Sequence, residues 1–211
     1  MSAIVKAVPA APRQGSGQAS AEARAQLVFL LQLAYSGELG AARAYAGHRV
    51  ALKKADQRQA LGKILRDEIR HRQCILRMLS ELGSAPSARR ERKMDLVGKA
   101  ISAFCFVGGW FLPMYGAGML ESQNIREYEH AARLAHVAGL EHLVPELLEM
   151  AEVEWDHERF FREQAQSHWL WRLMRHWVVP PPRAAIRATF AAFSASQSRE
   201  VEPVHAPWLV R

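Results

Sequence analysis

The pattern Glu-x-x-His occurs twice in helical surroundings, at Glu68–His71 and at Glu154–His157. On an α-helix, residues three apart lie on the same face, so each copy directs a carboxylate and an imidazole towards one point. A single glutamate precedes each copy within its own helical pattern, Glu38 by 30 residues and Glu121 by 33. The sequence therefore predicts two half-units, in each of which a helix with Glu is followed by a helix with Glu-x-x-His.

Two further matches to this pattern lack the same setting. Glu202–His205 contains Pro203, and a helix cannot present both of its side chains there. Glu127–His130 falls on the helix of Glu121, but Glu127 lies six residues past that glutamate, about 120° away around the helix. We therefore predict that neither match belongs to the same site.

The paired pattern predicts a metal centre in an all-α protein. Four carboxylates and two imidazoles on four antiparallel helices form the ligand set of di-iron and di-manganese carboxylate bundles. We expect a ferritin-like antiparallel four-helix bundle with additional C-terminal helices. The predicted ligands are Glu38, Glu68, His71, Glu121, Glu154 and His157.

Three residues near these ligands have two interpretations each. Tyr45 and Tyr128 both stand seven residues after a single glutamate, so each lies on the same helical face as that glutamate. They are either ordinary core tyrosines or groups whose hydroxyls orient ligating carboxylates. Asp67 either hydrogen-bonds the ligating histidine of the other half or is a solvent-exposed carboxylate beside Arg66 and Arg70.

Composition and the positions of Gly and Pro divide the 211 residues into one domain with two tails. We expect a disordered tail over 1–20, the bundle over 21–168, basic aromatic C-terminal helices over 169–195 and a flexible tail over 196–211. The bundle helices are predicted over 20–54, over 57–82 before a stop at Gly83, to about 137, and over 140–169. Residues 84–94 are predicted to link the halves. Gly37, Gly40 and Gly47 surround Glu38 and predict close approach of a helix or a ligand.

Two segments rich in apolar residues are relevant to whether the protein associates with a membrane. Residues 100–120 carry no charge and are long enough to cross a bilayer, but glycines and Pro113 interrupt them, with a predicted break near that proline. We expect this segment to lie at a membrane interface or to line a hydrophobic substrate site, with an ordinary buried helix as the alternative. Residues 169–177 combine Trp with Arg, which suits a membrane interface, single-stranded nucleic acid, or packing on the bundle. Cys74 and Cys105 fall in apolar patterns and are predicted to be buried thiols.

These motifs resemble those of the demethoxyubiquinone hydroxylases of ubiquinone biosynthesis, a branch of the ferritin-like di-iron superfamily. Residues 37–47 read Gly-Glu-Leu-Gly-Ala-Ala-Arg-Ala-Tyr-Ala-Gly, which looks like the G-E-x-G-A-x-R-x-Y-x-G signature of that family. Residues 67–71, Glu121 with Tyr128, and residues 154–157 resemble its other three helical motifs. The chain departs from the family at Glu127, where His is usual, and over residues 34–37.

The resemblance implies a monooxygenase that uses two iron ions, O2 and an external reductant such as NADH. It implies that Glu38, Glu68 and His71 hold one iron and the remaining three ligands the other, with Glu68 and Glu154 bridging. The expected substrate is a hydrophobic quinone precursor, taken from the cytoplasmic face of a membrane by a peripheral protein. We expect a homo-oligomer, and an accessory lipid-binding or reductase protein could assist it.

Three other functions remain compatible with parts of the sequence. The formal net charge of +7 favours a tRNA-modifying hydroxylase of the same fold. Against this function, the basic residues are scattered along the chain, and RNA binding would not explain the apolar residues 100–120. A ferroxidase or iron-storage protein would share the ligands, but such proteins usually have acidic channels. A metal-free structural bundle would leave six correctly spaced ligands without a role.

Overall fold

The computed structural model describes residues 14–174 and 177–197, and within these ranges the chain is helical and contains no β-strand. The fold is therefore all-α, as predicted. The helices are α1 (Gln14–Ala51), α2 (Ala55–Glu81), α3 (Ala88–Val107), α4 (Phe111–Val137), α5 (Val144–Gln166) and α6 (Ala184–Gln197). Short 3-10 turns cover Glu141–Leu143 and Trp169–Arg172.

Helices α1, α2, α4 and α5 enclose a core that is divided into two apolar clusters. One cluster joins the N-terminal part of α1 to the C-terminal parts of α2 and α4 and the start of α5. The other joins the opposite ends of the same four helices and includes Leu61, Met114 and Phe161. Between the two clusters lies one layer of buried polar side chains, and the predicted ligands occupy this layer.

Helix α3 packs along α1 and makes far fewer contacts with α4. A methyl group placed on Gly40 would touch Met94, and one on Gly47 would overlap Ser102. The contact moves from Met94 to Ser102 on α3 as it moves from Gly40 to Gly47 on α1, so the two helices run parallel. The predicted close approach of a helix is confirmed at Gly40 and Gly47, whereas a Cβ on Gly37 would meet nothing within 4 Å.

Helix α3 differs from the sequence prediction at both ends. It begins at Ala88, inside the predicted linker, and it ends before Gly108, ahead of the predicted break near Pro113. Gly109 has a φ of +67°, which favours glycine and allows the chain to reverse there. Pro113 lies in the first turn of α4, where a backbone N–H has no helical acceptor and a proline is tolerated.

Helix α1 begins earlier than predicted. Residues 1–13 of the expected disordered tail lie outside the described residues, whereas residues 14–20 are already helical. Ser20 Oγ donates to the Ala138 carbonyl at 3.3 Å, and Arg24 donates to the Leu82 carbonyl at 3.3 Å. Both bonds, with the buried Ala23, fasten the first turns of α1 to neighbouring loops.

The segment after α5 does not form the predicted helix over 169–177 in the described residues. The His168 side chain accepts the Leu170 N–H and starts a separate 3-10 turn. Trp177 is buried against Tyr115 and donates from Nε1 to Glu158 at 2.7 Å. A helix is present in the later part of the range 169–195, as α6, and it extends to Gln197, into the tail expected from 196; residues 198–211 lie outside the described part.

The seam between α1 and α3 should not tolerate a methyl group at Gly98. A Cβ there would lie 2.5 Å from the Gly40 carbonyl oxygen, and backbone cannot rotate away. We expect Gly98→Ala to lower the free energy of unfolding by about 1–3 kcal/mol in urea titrations. Gly116→Ala is the matched control, because its Cβ would meet nothing within 4 Å and alanine favours helix by about 0.5–1 kcal/mol. A Gly98→Ala protein as stable as wild type would contradict the packing of α3.

Candidate metal centre

The structure brings all six predicted ligands together in the polar layer between the apolar clusters. Each of the four core helices contributes at the same level, with one glutamate from α1, one from α4 and a Glu-x-x-His pair from each of α2 and α5. Glu68, Glu121 and Glu154 are completely buried, and the other three ligands are at most 4% exposed. Carboxylates are rarely buried to this degree without a partner, so this layer is the strongest functional feature of the fold.

The six side chains form two overlapping groups. The first cluster contains Glu38, Glu68, His71 and Glu154, and the second cluster contains Glu68, Glu121, Glu154 and His157. In each cluster, one ligand atom from every residue lies within 4.8 Å of the others. Glu68 and Glu154 belong to both clusters, so the geometry could hold two metal ions that share these two carboxylates.

Most ligand atoms face the centre of the layer without hydrogen bonds. Within the part of the chain that the structure describes, both carboxylate oxygens of Glu68 and of Glu154, and the Nδ1 atoms of His71 and His157, have no hydrogen-bond partner. His71 Nδ1 lies 2.9 Å from one oxygen of Glu154, and His157 Nδ1 lies 3.5 Å from the other. Buried oxygens and imidazole nitrogens that converge without donors are the arrangement that a cation would satisfy.

The pKa values of the carboxyl groups in this layer also indicate a site for cations. Burial, together with the neighbouring carboxylates, raises the pKa values of Glu68 and Glu121 well above the ordinary range. Glu154 is the exception: burial alone would raise its pKa, but the His157 and His71 imidazoles beside it lower it overall. Four carboxyl groups this close cannot all ionise without a cation, and two divalent ions would neutralise them.

Each tyrosine contacts a ligating glutamate of the other half. Tyr128 donates its hydroxyl hydrogen to Glu38, and Tyr45 donates to Glu121. Asn124 donates to the second oxygen of Glu121 at 2.9 Å. The tyrosines therefore hold the two single glutamates in place, in agreement with the interpretation that they orient carboxylates.

Asp67 also occupies a supporting position. Its carboxylate lies 3.3 Å from His157 Nε2, on the side of the ring away from the cluster. The nearby imidazole lowers the pKa of Asp67. A carboxylate in this position fixes the orientation and tautomer of a ligating histidine. The equivalent position before Glu154 is Val153, so the two halves differ in this respect.

A cavity of about 580 Å³ reaches the first cluster from one side. Its inner wall contains Glu38, Tyr45 and Tyr128, and most of the remaining wall is apolar. Side chains of α3 form the wall opposite α1, and they include Met94, Val97, Ile101, Phe104 and Cys105. The cavity runs along α1 from Leu33 to His48, a distance of roughly 22 Å at 1.5 Å per residue.

Residues 100–120, expected to lie at a membrane interface or to line a hydrophobic substrate site, do contribute to the wall of this cavity, among them Phe104 of α3 and Leu112, Gly116 and Leu120 of α4. Phe111 and Tyr115 of the same segment do not line it, and they pack into the apolar cluster with Trp171 and Trp177. Helix α3 extends the wall beyond this segment, to Val97 and Met94. The four-residue spacing of Val97, Ile101 and Cys105 is the signal that could have identified it, because these residues share one helical face.

Several polar residues of the cavity were not predicted as site residues, and Glu127 and His48 are two of them. Glu127 lies on the wall beside Tyr128, and burial with the nearby Glu38 and Glu154 carboxylates raises its pKa to about 7. His48 lies at the far end of the α1 wall. Neither residue belongs to a Glu-x-x-His pair in the polar layer, so ligand spacing gave no indication of them.

Comparison with models of known protein families, with curated proteins and with solved structures found no match for this chain. The metal centre is therefore inferred from its own residues. None of the helices within the described residues is long and apolar enough to cross a membrane.

Proposed function

We propose that the protein is a di-iron, O2-dependent monooxygenase that hydroxylates a polyprenyl quinone precursor of the demethoxyubiquinone type. In this proposal α1, α2, α4 and α5 are the ferritin-like antiparallel bundle. The observation that carries the proposal is the meeting of two features: a buried Glu/His layer with two shared carboxylates, and an apolar cavity that ends on one of its glutamates. A storage protein would need the first feature alone.

The ligand set suits iron. Each metal position offers carboxylates and a single imidazole, which leaves coordination positions open. Two iron ions bound there would supply O2 activation, with electrons from an external reductant such as NADH. The chain itself would hold the ligands rigid through Tyr45, Tyr128 and Asp67, and its two apolar clusters would keep bulk water away. The sequence lacks a GxGxxG nucleotide motif, so a reductase partner or an improvised site would deliver the electrons.

The walls of the cavity support a flat ring with an apolar tail as the substrate. Small residues on α1 and α4, among them Gly37 and Gly116, leave room beside Glu38. The side between α3 and α4 is lined by side chains that are also exposed on the surface. They are Val97, Ile101, Phe104, Leu112 and Leu120. An opening with apolar edges would admit a molecule whose tail remains in lipid.

The same surface supports peripheral attachment to the cytoplasmic face of a membrane. Helix α3 and the loop after it expose further apolar side chains, with Phe106 at 60% and Val107 at 83% exposure. Arg89, Arg92 and Lys93 are exposed at the start of α3 and would meet anionic lipid headgroups. We propose that this face lies on the bilayer, where an accessory lipid-binding protein or a second copy of the chain could assist substrate transfer. An RNA substrate would leave this apolar face without a role.

The reaction is tested by deletion of the gene in its host and extraction of the quinones. We expect a precursor that lacks one ring oxygen to accumulate, because the proposed step that inserts this oxygen would be lost with the protein. The intact gene should restore the profile, and a Glu121→Ala copy should not. An unchanged quinone profile would exclude the quinone substrate and leave the metal centre to be tested by itself.

A further inference from the structure

The cavity contains one buried imidazole that the proposed metal centre does not use. His48 lies on α1, one helical turn beyond Tyr45, and it is only 2% exposed. Gly47 touches Ser102 of α3, so this part of α1 lies against the stretch of α3 that carries Ile101 and Cys105. Both of these residues line the cavity together with His48. The imidazole therefore stands in an apolar part of the wall.

The imidazole lacks a protein partner for one of its nitrogens. His48 Nε2 is shielded from solvent and makes no hydrogen bond within the described residues. Burial lowers the pKa of His48 to about 4, so the ring is neutral at physiological pH. Buried polar atoms are nearly always hydrogen-bonded in native proteins, so an unpartnered nitrogen on a residue that lines a cavity suggests that a ligand supplies the partner.

We propose that His48 recognises the substrate by a hydrogen bond to an oxygen on its ring. The nearest polar groups along α1 are the Tyr45 hydroxyl, which already donates to Glu121, and the ligand Glu38, which already accepts from Tyr128. Among the described polar side chains of α1 that line the cavity, His48 is therefore one that is neither a predicted ligand nor hydrogen-bonded. It would anchor one edge of an otherwise apolar ring while the opposite edge faces the metal cluster.

The neutral imidazole defines the chemical class of the ligand. It carries one N–H donor and one acceptor nitrogen, so it can accept from a hydroxyl or donate to a carbonyl, according to its tautomer. An oxygen of a quinol and the same oxygen of a quinone would both be bound. A carboxylate or phosphate would gain little, since the ring carries no charge to offset the loss of water. This inference rests on the proposed function for the identity of the substrate ring.

The test compares two ligands on two proteins by titration calorimetry. The ligands are a benzoquinone with a short alkyl chain and a benzene with the same chain, which lacks the ring oxygens. His48→Phe keeps the ring volume and removes the hydrogen bond, and we expect it to weaken binding of the benzoquinone by about tenfold. Binding of the alkylbenzene should be equal for wild type and His48→Phe. His48→Gln, which keeps a donor and an acceptor, should recover much of the benzoquinone affinity.

The outcomes separate this inference from the proposed function. His48→Phe should load as much iron as wild type, because His48 is not a ligand. Equal benzoquinone affinities for wild type and His48→Phe would overturn the role of His48, whatever the iron content. A parallel loss for both ligands would also overturn it, since that result indicates a packing role. Failure of wild type to bind iron, with the discrimination between ligands intact, would remove the enzyme proposal and keep the binding site.

Discussion

Replacing Glu154 by alanine should leave the protein unable to hold either iron ion. Glu154 belongs to both clusters, with one oxygen 2.9 Å from His71 Nδ1 and the other 3.5 Å from His157 Nδ1. Loss of a bridging carboxylate removes one ligand from each metal position at once and leaves the other carboxylates to repel each other. We expect iron content to fall from about two per chain in wild type to near zero after anaerobic loading and gel filtration.

A graded series makes this expectation specific to the shared carboxylates. Glu38 belongs to the first cluster alone, so Glu38→Ala should retain about one iron per chain, held in the second cluster. Glu152→Ala is the control on the same helix, because Glu152 accepts from Arg187 of α6 at 2.6 Å and belongs to neither cluster. It should retain both ions. Circular dichroism checks that each variant is folded.

The series has clear contrary results. Two irons in Glu154→Ala would exclude a shared ligand at this position. An equal loss of iron in Glu38→Ala and Glu154→Ala would indicate that the two ions bind as one cooperative unit and not at two separable sites. Tight binding of a single zinc ion by wild type, with no second metal, would exclude the di-iron centre.

The sequence predicts the metal layer well because its geometry is mostly local. The three-residue spacing in Glu68–His71 and Glu154–His157 places each pair on one helical face before any tertiary contact is known. Repetition of the arrangement in two halves then predicts which helices must meet. The partners of Tyr45 and Tyr128 do not follow in this way. Each tyrosine contacts a glutamate on a different helix, so its partner depends on the relative height of α1 and α4.

Helix α3 shows the limit of the sequence argument. Its first turns are rich in Arg and its last turns are apolar, so composition divided one helix between a linker and an apolar segment. The helix is held by its fit to α1, where Gly98 comes against the Gly40 backbone. This contact joins residues far apart in the chain, and a single sequence does not reveal it. The expectation that residues 100–120 line a hydrophobic site agrees with the cavity, but its wall at Met94 and Val97, ahead of that segment, was missed for the same reason.

The sequence leaves the environment of the C-terminal segment open because its tryptophans have two kinds of environment. Trp169 is 69% exposed, whereas Trp177 is buried and donates to Glu158. The Trp/Arg composition of residues 169–177 is equally compatible with lipid, nucleic acid and packing on the bundle. Only the tertiary contact with Tyr115 shows that part of this segment completes the core.

The metal-free protein should lose stability as the pH rises in the window above about 6.5, the ordinary pKa of a histidine. Glu68 and Glu121 have pKa values well above their ordinary range in the folded state, and so has His157, because of its carboxylate neighbours. Groups with raised pKa values bind more protons folded than unfolded. Their contribution is therefore present at low pH and disappears as the pH rises through the folded pKa. His48, with its lowered pKa, titrates below this window and does not offset the trend.

Iron should reverse the loss. Bound cations replace the protons among the carboxylates, and metal binding becomes tighter as the ligands deprotonate. Urea unfolding under anaerobic conditions should therefore give similar stabilities for the loaded protein across the window, and the difference between loaded and metal-free protein should grow with pH. Glu68→Gln provides the matched variant, because the amide has the shape of the protonated carboxyl and cannot ionise.

In the metal-free state, Glu68→Gln should be at least as stable as wild type at the upper end of the window and should show a shallower pH dependence. In the presence of iron it should gain much less stability than wild type, because the amide does not neutralise the metals. Relative to wild type, the variant is therefore expected to be at least as stable without iron at the upper end of the window and less stabilised by iron. General damage to the core would lower stability in both states and cannot produce this combination. A metal-free wild type that becomes more stable with rising pH, or a Glu68→Gln slope as steep as that of wild type, would contradict the crowding of carboxylates on which the metal centre depends.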